Sequence, residues 1–330
     1  MSDNPLVNLE GLTKPVSDLG IALIDKIGDA TGILYEPTRI KRRAKAEAKA
    51  AKIQAEAKIE ITDLQQRTLR RWIEEEVQRQ ESIEDIITKS FNKLNDDADP
   101  NAIEDDWIIK FFDKGRLITD NKVQDLWASI LAGEANSAGS YSPKTLTTLA
   151  DMNQKSLSLF NTFCSLCVVS LMDPHAFLKS PSNFKIGDAR VPIIRGVMID
   201  TATVRGPGKS LEQFSQKSQS MYQQYGFGIN EFQLLLEHGL IQDETYNYYP
   251  HFWYDNELYI PLNPSAITPP KEEDVQQITI SGFRLSSVGR ELFHIAKREN
   301  PPEYLESLID FLQEYYDVKI YRIPKSQESS

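Results

Sequence analysis

Three short constellations in this chain carry residue types that chemistry uses. Val204-Arg-Gly-Pro-Gly-Lys-Ser210 ends as a phosphate-binding loop does, in Gly208-Lys209-Ser210. Such a loop also needs a glycine five positions before Gly208, so that backbone amides wrap the anion. Thr203 stands there instead and Pro207 removes one amide donor, so a plain surface turn is the expectation. Cys164-Ser-Leu-Cys167 has redox or zinc-knuckle spacing, yet the chain holds only two cysteines and a zinc site needs four ligands. A catalytic thiol wants an electropositive, partly open setting, whereas this pair lies in the apolar run Leu157–Leu171; a buried structural role is expected. His175, His238, His251 and His294 are scattered, and none stands at ligand spacing from an acidic residue. No catalytic set is complete, and no cofactor or metal site is expected.

A fourth feature binds rather than reacts. Residues 36–58 carry eight Lys/Arg against three Glu, a local +5 in a chain whose net charge is −11. Alanine, lysine, glutamate and arginine are strong helix formers, and Pro37 suits a first helical turn. The segment is therefore expected to be a helical rod of one sign, with Arg39, Lys41, Arg42, Arg43, Lys45 and Lys49 as candidate binding residues. Residues 59–117 hold nine basic and fifteen acidic side chains, a net of −6. A rod of +5 joined to an acidic continuation has a natural contact in itself, within one chain or between two.

The elements that would position these residues follow from periodicity and turn chemistry. Residues 15–35 read as an amphipathic helix on Val16, Leu19, Leu23, Ile24 and Ile27. The helical pattern from Pro37 to about Phe91 has no internal Pro or Gly. Ile53, Ala57, Leu64, Thr68 and Trp72 recur near heptad spacing, which points to a coiled-coil-like arm. After the Asn95–Asn101 loop, Thr119 or Asp120 caps a helix whose apolar face is Val123, Leu126, Trp127, Ile130 and Leu131, and Gly133 is expected to end it. Ser142-Pro143 restarts a helix as N-cap and first residue, and Leu157–Leu171 reads as a buried helix.

The C-terminal third changes pattern. A helix at Glu231–His238, Gly239-Leu240, strands at Leu258–Pro261 and Gln277–Ser281 read as a hairpin, and a helix capped by Ser286 or Ser287 follow in the order of a winged helix. A helix over 302–316 and a strand over 318–323 close the region. The organisation expected is an N-terminal amphipathic segment (1–35), a charged helical arm (36–95), a central helical core (100–178) and an irregular linker with short strands (179–228). A winged-helix-like domain (229–324) and a disordered tail (325–330) complete it. The fold class is mainly α with a C-terminal α+β unit.

Residues 226–300 carry five basic and eleven acidic side chains, a sign that DNA repels. A protein-contact role fits them better, with Tyr249, Phe252, Trp253 and Tyr254, along with Trp72 on the arm, as candidate interface residues; the aromatic cluster reads equally as local core. A pI near 5.0 argues against general nucleic-acid affinity. Two cysteines favour a reducing, cytoplasmic setting, and no apolar run approaches the roughly 20 residues a membrane span needs. Peripheral attachment to an anionic inner-membrane surface through residues 15–58 is the remaining membrane expectation.

Lys14-Pro15, Glu36-Pro37, Ile40-Lys-Arg42, Ala44–Ala48, Val123-Gln-Asp-Leu-Trp-Ala-Ser-Ile-Leu-Ala-Gly-Glu134 and Ser142-Pro-Lys-Thr-Leu146 resemble the bacterial family catalogued as domain of unknown function 2806. The N-terminal part is also similar to abortive-infection alpha proteins, and that resemblance implies a place in phage defence. The reading from sequence is a non-enzymatic interaction or sensor protein that self-associates through its arm. The alternatives are a nucleic-acid-binding regulator using residues 39–58 and a peripheral membrane protein.

Overall fold

The computed structural model describes residues 17–32, 48–49, 62–171, 193–200, 221–248, 252–254, 257–267, 274–276, 280–299 and 301–323. The chain divides into two units, Met1–Gln154 and Lys155–Ser330, and the division falls inside the stretch read as one central core. The described residues are mostly helical, with strands in the second unit.

In the first unit, α1 (Asp18–Thr31) starts at Ser17, whose hydroxyl accepts the Gly20 N–H at 3.2 Å. It ends at Gly32, where φ is 69° and the N–H returns to the Gly28 carbonyl. Leu23, Ile24 and Ile27 are its buried face. Four more helices follow: α2 (Asp63–Ser90), α3 (Asp105–Gly115), α4 (Asn121–Asn136) and α5 (Pro143–Ala150). α1 packs on α3, where Lys26 Nζ meets the Asp105 carboxylate at 2.6 Å, and α2 packs on α4.

Trp127 is the centre of this core. It is fully buried and meets Phe111 edge-on at 4.9 Å, and Phe111 stacks on Trp107 at 5.1 Å. Trp107 Nε1–H donates to the Tyr141 carbonyl at 2.7 Å, which ties the start of α3 to the approach of α5. Asp120, Ser142 and Pro143 serve as the sequence predicts: the Asp120 carboxylate accepts from Lys122 N–H and Val123 N–H, and Ser142 Oγ accepts from Thr145 N–H. Gly133 does not end α4, which runs three residues further. A Cβ there would lie 2.7 Å from the Tyr141 ring, so the glycine is a packing requirement rather than a stop.

The second unit contains α6 (Gln154–Leu166), β1 (Val168–Leu171), β2 (Ile193–Asp200), α7 (Ile229–Glu237), β3 (Ile241–Tyr248), β4 (Phe252–Tyr254) and β5 (Glu257–Leu262). It continues with β6 (Ile280–Leu285), α8 (Ser287–Phe293), α9 (Tyr304–Tyr316) and β7 (Lys319–Ile323). The strands form one antiparallel sheet in the order β3-β6-β2-β1-β4-β5-β7. The expected helix over 157–171 is thus corrected: it stops at Leu166, and Val168–Leu171 join the sheet. A continuous apolar run suits a buried helix or a buried strand alike, so periodicity alone does not separate them.

The expected hairpin is corrected as well. β5 pairs with β4 and β7, whereas β6 pairs with β3 and β2, so the two strands are not partners in the sheet; the end of β5 meets the bridge at Val275, with Gln276 N–H donating to the Pro261 carbonyl at 3.0 Å. The cap on Ser286 stands: its Oγ accepts the Gly289 N–H at 3.0 Å and donates to the Gly239 carbonyl at 2.5 Å. Gly289 lies so close to β3's approach that a Cβ would sit 2.0 Å from the Leu240 carbonyl oxygen. α7 opens at Ile229 after Gly228, whose N–H donates to Glu231 Oε2 at 2.9 Å.

Candidate functional site

The candidate surface is the first half of α2, and its local chemistry explains why it stands as helix. Thr62 and Gln65 form a reciprocal capping box: Thr62 N–H donates to Gln65 Oε1 at 2.8 Å and Gln65 N–H to Thr62 Oγ1 at 3.4 Å. Asp63 in the first turn and Lys89 in the last suit the helix dipole. Ion pairs one turn apart line the exposed side: Arg67–Asp63, Arg71–Glu75, Arg79–Glu75 and Arg79–Glu76. Each contributes only tenths of a kcal/mol, but together they support the more open half of the helix.

Burial divides the helix. Ser82, Ile83, Glu84, Ile86, Ile87 and Ser90 are buried, and Lys89 Nζ reaches Asn121 Oδ1 at 2.5 Å and Gln124 Oε1 at 2.7 Å on α4. Burial lowers the Lys89 pKa from its ordinary value, against the pull of Asp85, Asp125 and Asp120. From Thr62 to Gln80 no residue is buried. Leu64 is 66% exposed and Trp72 54%. Leu69, Ile73 and Val77 are half-buried and continue the stripe that becomes Ile83 and Ile87. A tryptophan this open, flanked by half-buried aliphatics, makes this stretch the candidate surface.

Charge is ordered around Trp72. Arg67, Arg70 and Arg71 precede it; Glu74, Glu75 and Glu76 follow it. The sign of the arm therefore inverts at its most exposed aromatic residue.

The other sequence candidates fall differently. Arg39, Lys41, Arg42, Arg43 and Lys45 lie outside the described residues, as do Tyr249 and the Val204–Ser210 loop; Lys49 is helical and exposed. Phe252 and Trp253 belong to β4, opposite Tyr259 and Leu258. Tyr254 is a core residue: it is buried, its hydroxyl donates to the Ser165 carbonyl at 3.1 Å, and its ring lies 5.6 Å from that of Tyr304. Tyr254 thus takes the local-core alternative for the aromatic cluster, on a strand that runs inside the sheet. Cys164 and Cys167 are free and buried; burial pushes both thiols up, which suppresses the thiolate that redox or metal chemistry needs.

Two side chains gained importance only in three dimensions. Glu134 is a buried carboxylate that accepts from Gly139 N–H at 2.6 Å and Tyr141 N–H at 3.0 Å, fastening the α4–α5 loop. Tyr304, fully buried, donates to the Leu166 carbonyl at 2.7 Å and closes the C-terminal end of α6. A sequence signal for Glu134 is its place near a helix end before a Gly-Ser-Tyr loop whose amides need acceptors; Tyr304 has none. Among the described residues no group of three or more metal-ligating side chains gathers, and no helix is long and apolar enough to cross a membrane.

Residues 66–186 match the model of the family described as Protein of unknown function (DUF2806). The match takes in Trp72, the Trp127–Glu134 segment and the Ser142-Pro143 cap, and leaves the basic run outside. No curated protein and no solved structure matches the chain.

Proposed function

We propose, for a chain whose residues 66–186 belong to that family of unknown function, a non-enzymatic interaction or sensor role in which the protein self-associates through its helical arm. The observation that carries this reading is Trp72, more than half exposed on a capped helix whose first half has no fully buried residue. Light scattering after size exclusion tests it. The expected result is a mass above the 37.6 kDa of one chain that rises with concentration; a strict monomer at high concentration overturns it.

A winged-helix-like reading of the C-terminal α+β unit accompanies the proposal. Its support is the order α7, β3 paired with β6, then the Ser286-capped α8. The acidic balance of residues 226–300 makes that unit a protein contact rather than a DNA reader. A cytoplasmic place and a part in phage defence belong to the same proposal, the latter on the abortive-infection resemblance alone. Plating efficiency of phage on expressing cells decides it: unchanged plaque counts remove the defence role.

The runner-up is nucleic-acid binding through residues 39–58, favoured by their +5 charge. It requires steeply salt-dependent binding that vanishes when Arg39, Lys41, Arg42 and Arg43 become Ala. Absence of binding at low salt ends it.

A further inference from the structure

We infer that the open half of α2 pairs with the same segment of a second copy in antiparallel orientation, about a two-fold axis near Trp72; this rests on the self-association reading above. The argument begins with charge. Arg67, Arg70 and Arg71 lie on the N-terminal side of Trp72 and Glu74, Glu75 and Glu76 on its C-terminal side. Antiparallel pairing centred there sets each arginine end against the partner's glutamate end, with Arg70 level with the partner's Glu74 and Arg71 two positions from the partner's Glu75. Parallel pairing in register sets arginine against arginine and glutamate against glutamate. Flanking charges of this kind choose the orientation of helix pairs.

A two-fold interface is self-complementary by construction, so one charge inversion serves both halves at once. The apolar part lies at the same centre. Trp72 meets its own symmetry mate, with Leu69 and Ile73 beside it on one flank of the seam. Tryptophan at the middle of an interface carries a large share of its affinity, while the rim ion pairs set orientation more than strength. The basic run at 36–58 is the rival occupant, but its +5 charge meets like charge at Arg67, Arg70 and Arg71. A second copy complements both ends of the arm.

The test uses the full chain and three variants. Trp72→Asp is expected to raise the dissociation constant of the oligomer at least tenfold, as is the double reversal Arg70→Glu, Arg71→Glu. The fourfold swap that adds Glu74→Arg and Glu75→Arg restores self-association, and it keeps the Arg71–Glu75 pair with reversed sign. Circular dichroism checks that each variant keeps its helix, since all five side chains are exposed. The swap is then mixed with tagged wild type and captured on the tag. Antiparallel pairing predicts homodimers of each kind and little mixed species; preferential mixed dimers overturn the orientation. An oligomer that survives both Trp72→Asp and the double reversal overturns pairing through the arm and leaves self-association standing elsewhere. A wild-type monomer overturns the parent reading itself, and with it this one.

Discussion

One helix, α2, contains two regions that share a pattern and differ in fate. Its second half turns Ile83, Ile86 and Ile87 onto α4 and loses them from water. Its first half carries Leu69, Ile73 and Val77 at the same spacing, yet stays partly open around Trp72. Amphipathic periodicity specifies that a face seeks cover; it does not specify who covers it. The buried half is finished by its own chain, and the open half is the one that the proposed self-association would cover.

The largest break in that symmetry should come from Ile86→Ala. Ile86 is completely buried beside Gly115, so the loss of methylenes and the cavity left behind cost about 2–5 kcal/mol in denaturant unfolding. A cost near zero would mean that this half is not the anchored one. Glu134→Gln comes next, at about 1–3 kcal/mol: the amide keeps one acceptor oxygen and turns a donor toward a loop N–H that the carboxylate now serves.

Lys89 sharpens the contrast through pH. Its folded pKa lies below the ordinary value of 10.5, so between the two values the unfolded chain holds more protons and stability rises with pH. The cost of charging Lys89 is fully present below the folded pKa and is gone above the unfolded one. Comparison with Lys89→Met should therefore show the wild type gaining Tm relative to the variant as pH climbs from neutrality toward 10.5. A constant gap would refute it. The smallest effect is Trp72→Ala in the open half, within about 0.5 kcal/mol at concentrations too low for association. A larger loss in the isolated chain would show that the residue is already packed.

Much of the first unit was legible because its signals are local. The face from Val123 to Leu131, the Asp120 cap and the Ser142-Pro143 start are each decided within a few residues, and so is the Ser286 cap of α8. Gly133 misled because a glycine near a helix end looks like a stop, and only the Tyr141 ring above it reveals the packing reason. The strands misled because pairing is set by distant partners: β5 reads as a strand from Leu258-Tyr-Ile260, but nothing in those residues says that its neighbours are β4 and β7. The same limit governs the candidate surface. Trp72 stood out at coiled-coil spacing with Leu64 and Thr68, whereas its exposure depends on where α4 ends its hold on α2.

The order of the sheet has a consequence in time. β2 pairs with β6 across Asp200 and Ser281, and Tyr304 reaches back to Leu166, so the second unit closes only after residues far apart in sequence, with other elements between them, have met. Helices α3 to α5 find one another across a few residues. Folding rates fall as contacting residues lie further apart in sequence. Refolding should accordingly resolve into a fast helical phase from the first unit and a slower one from the sheet.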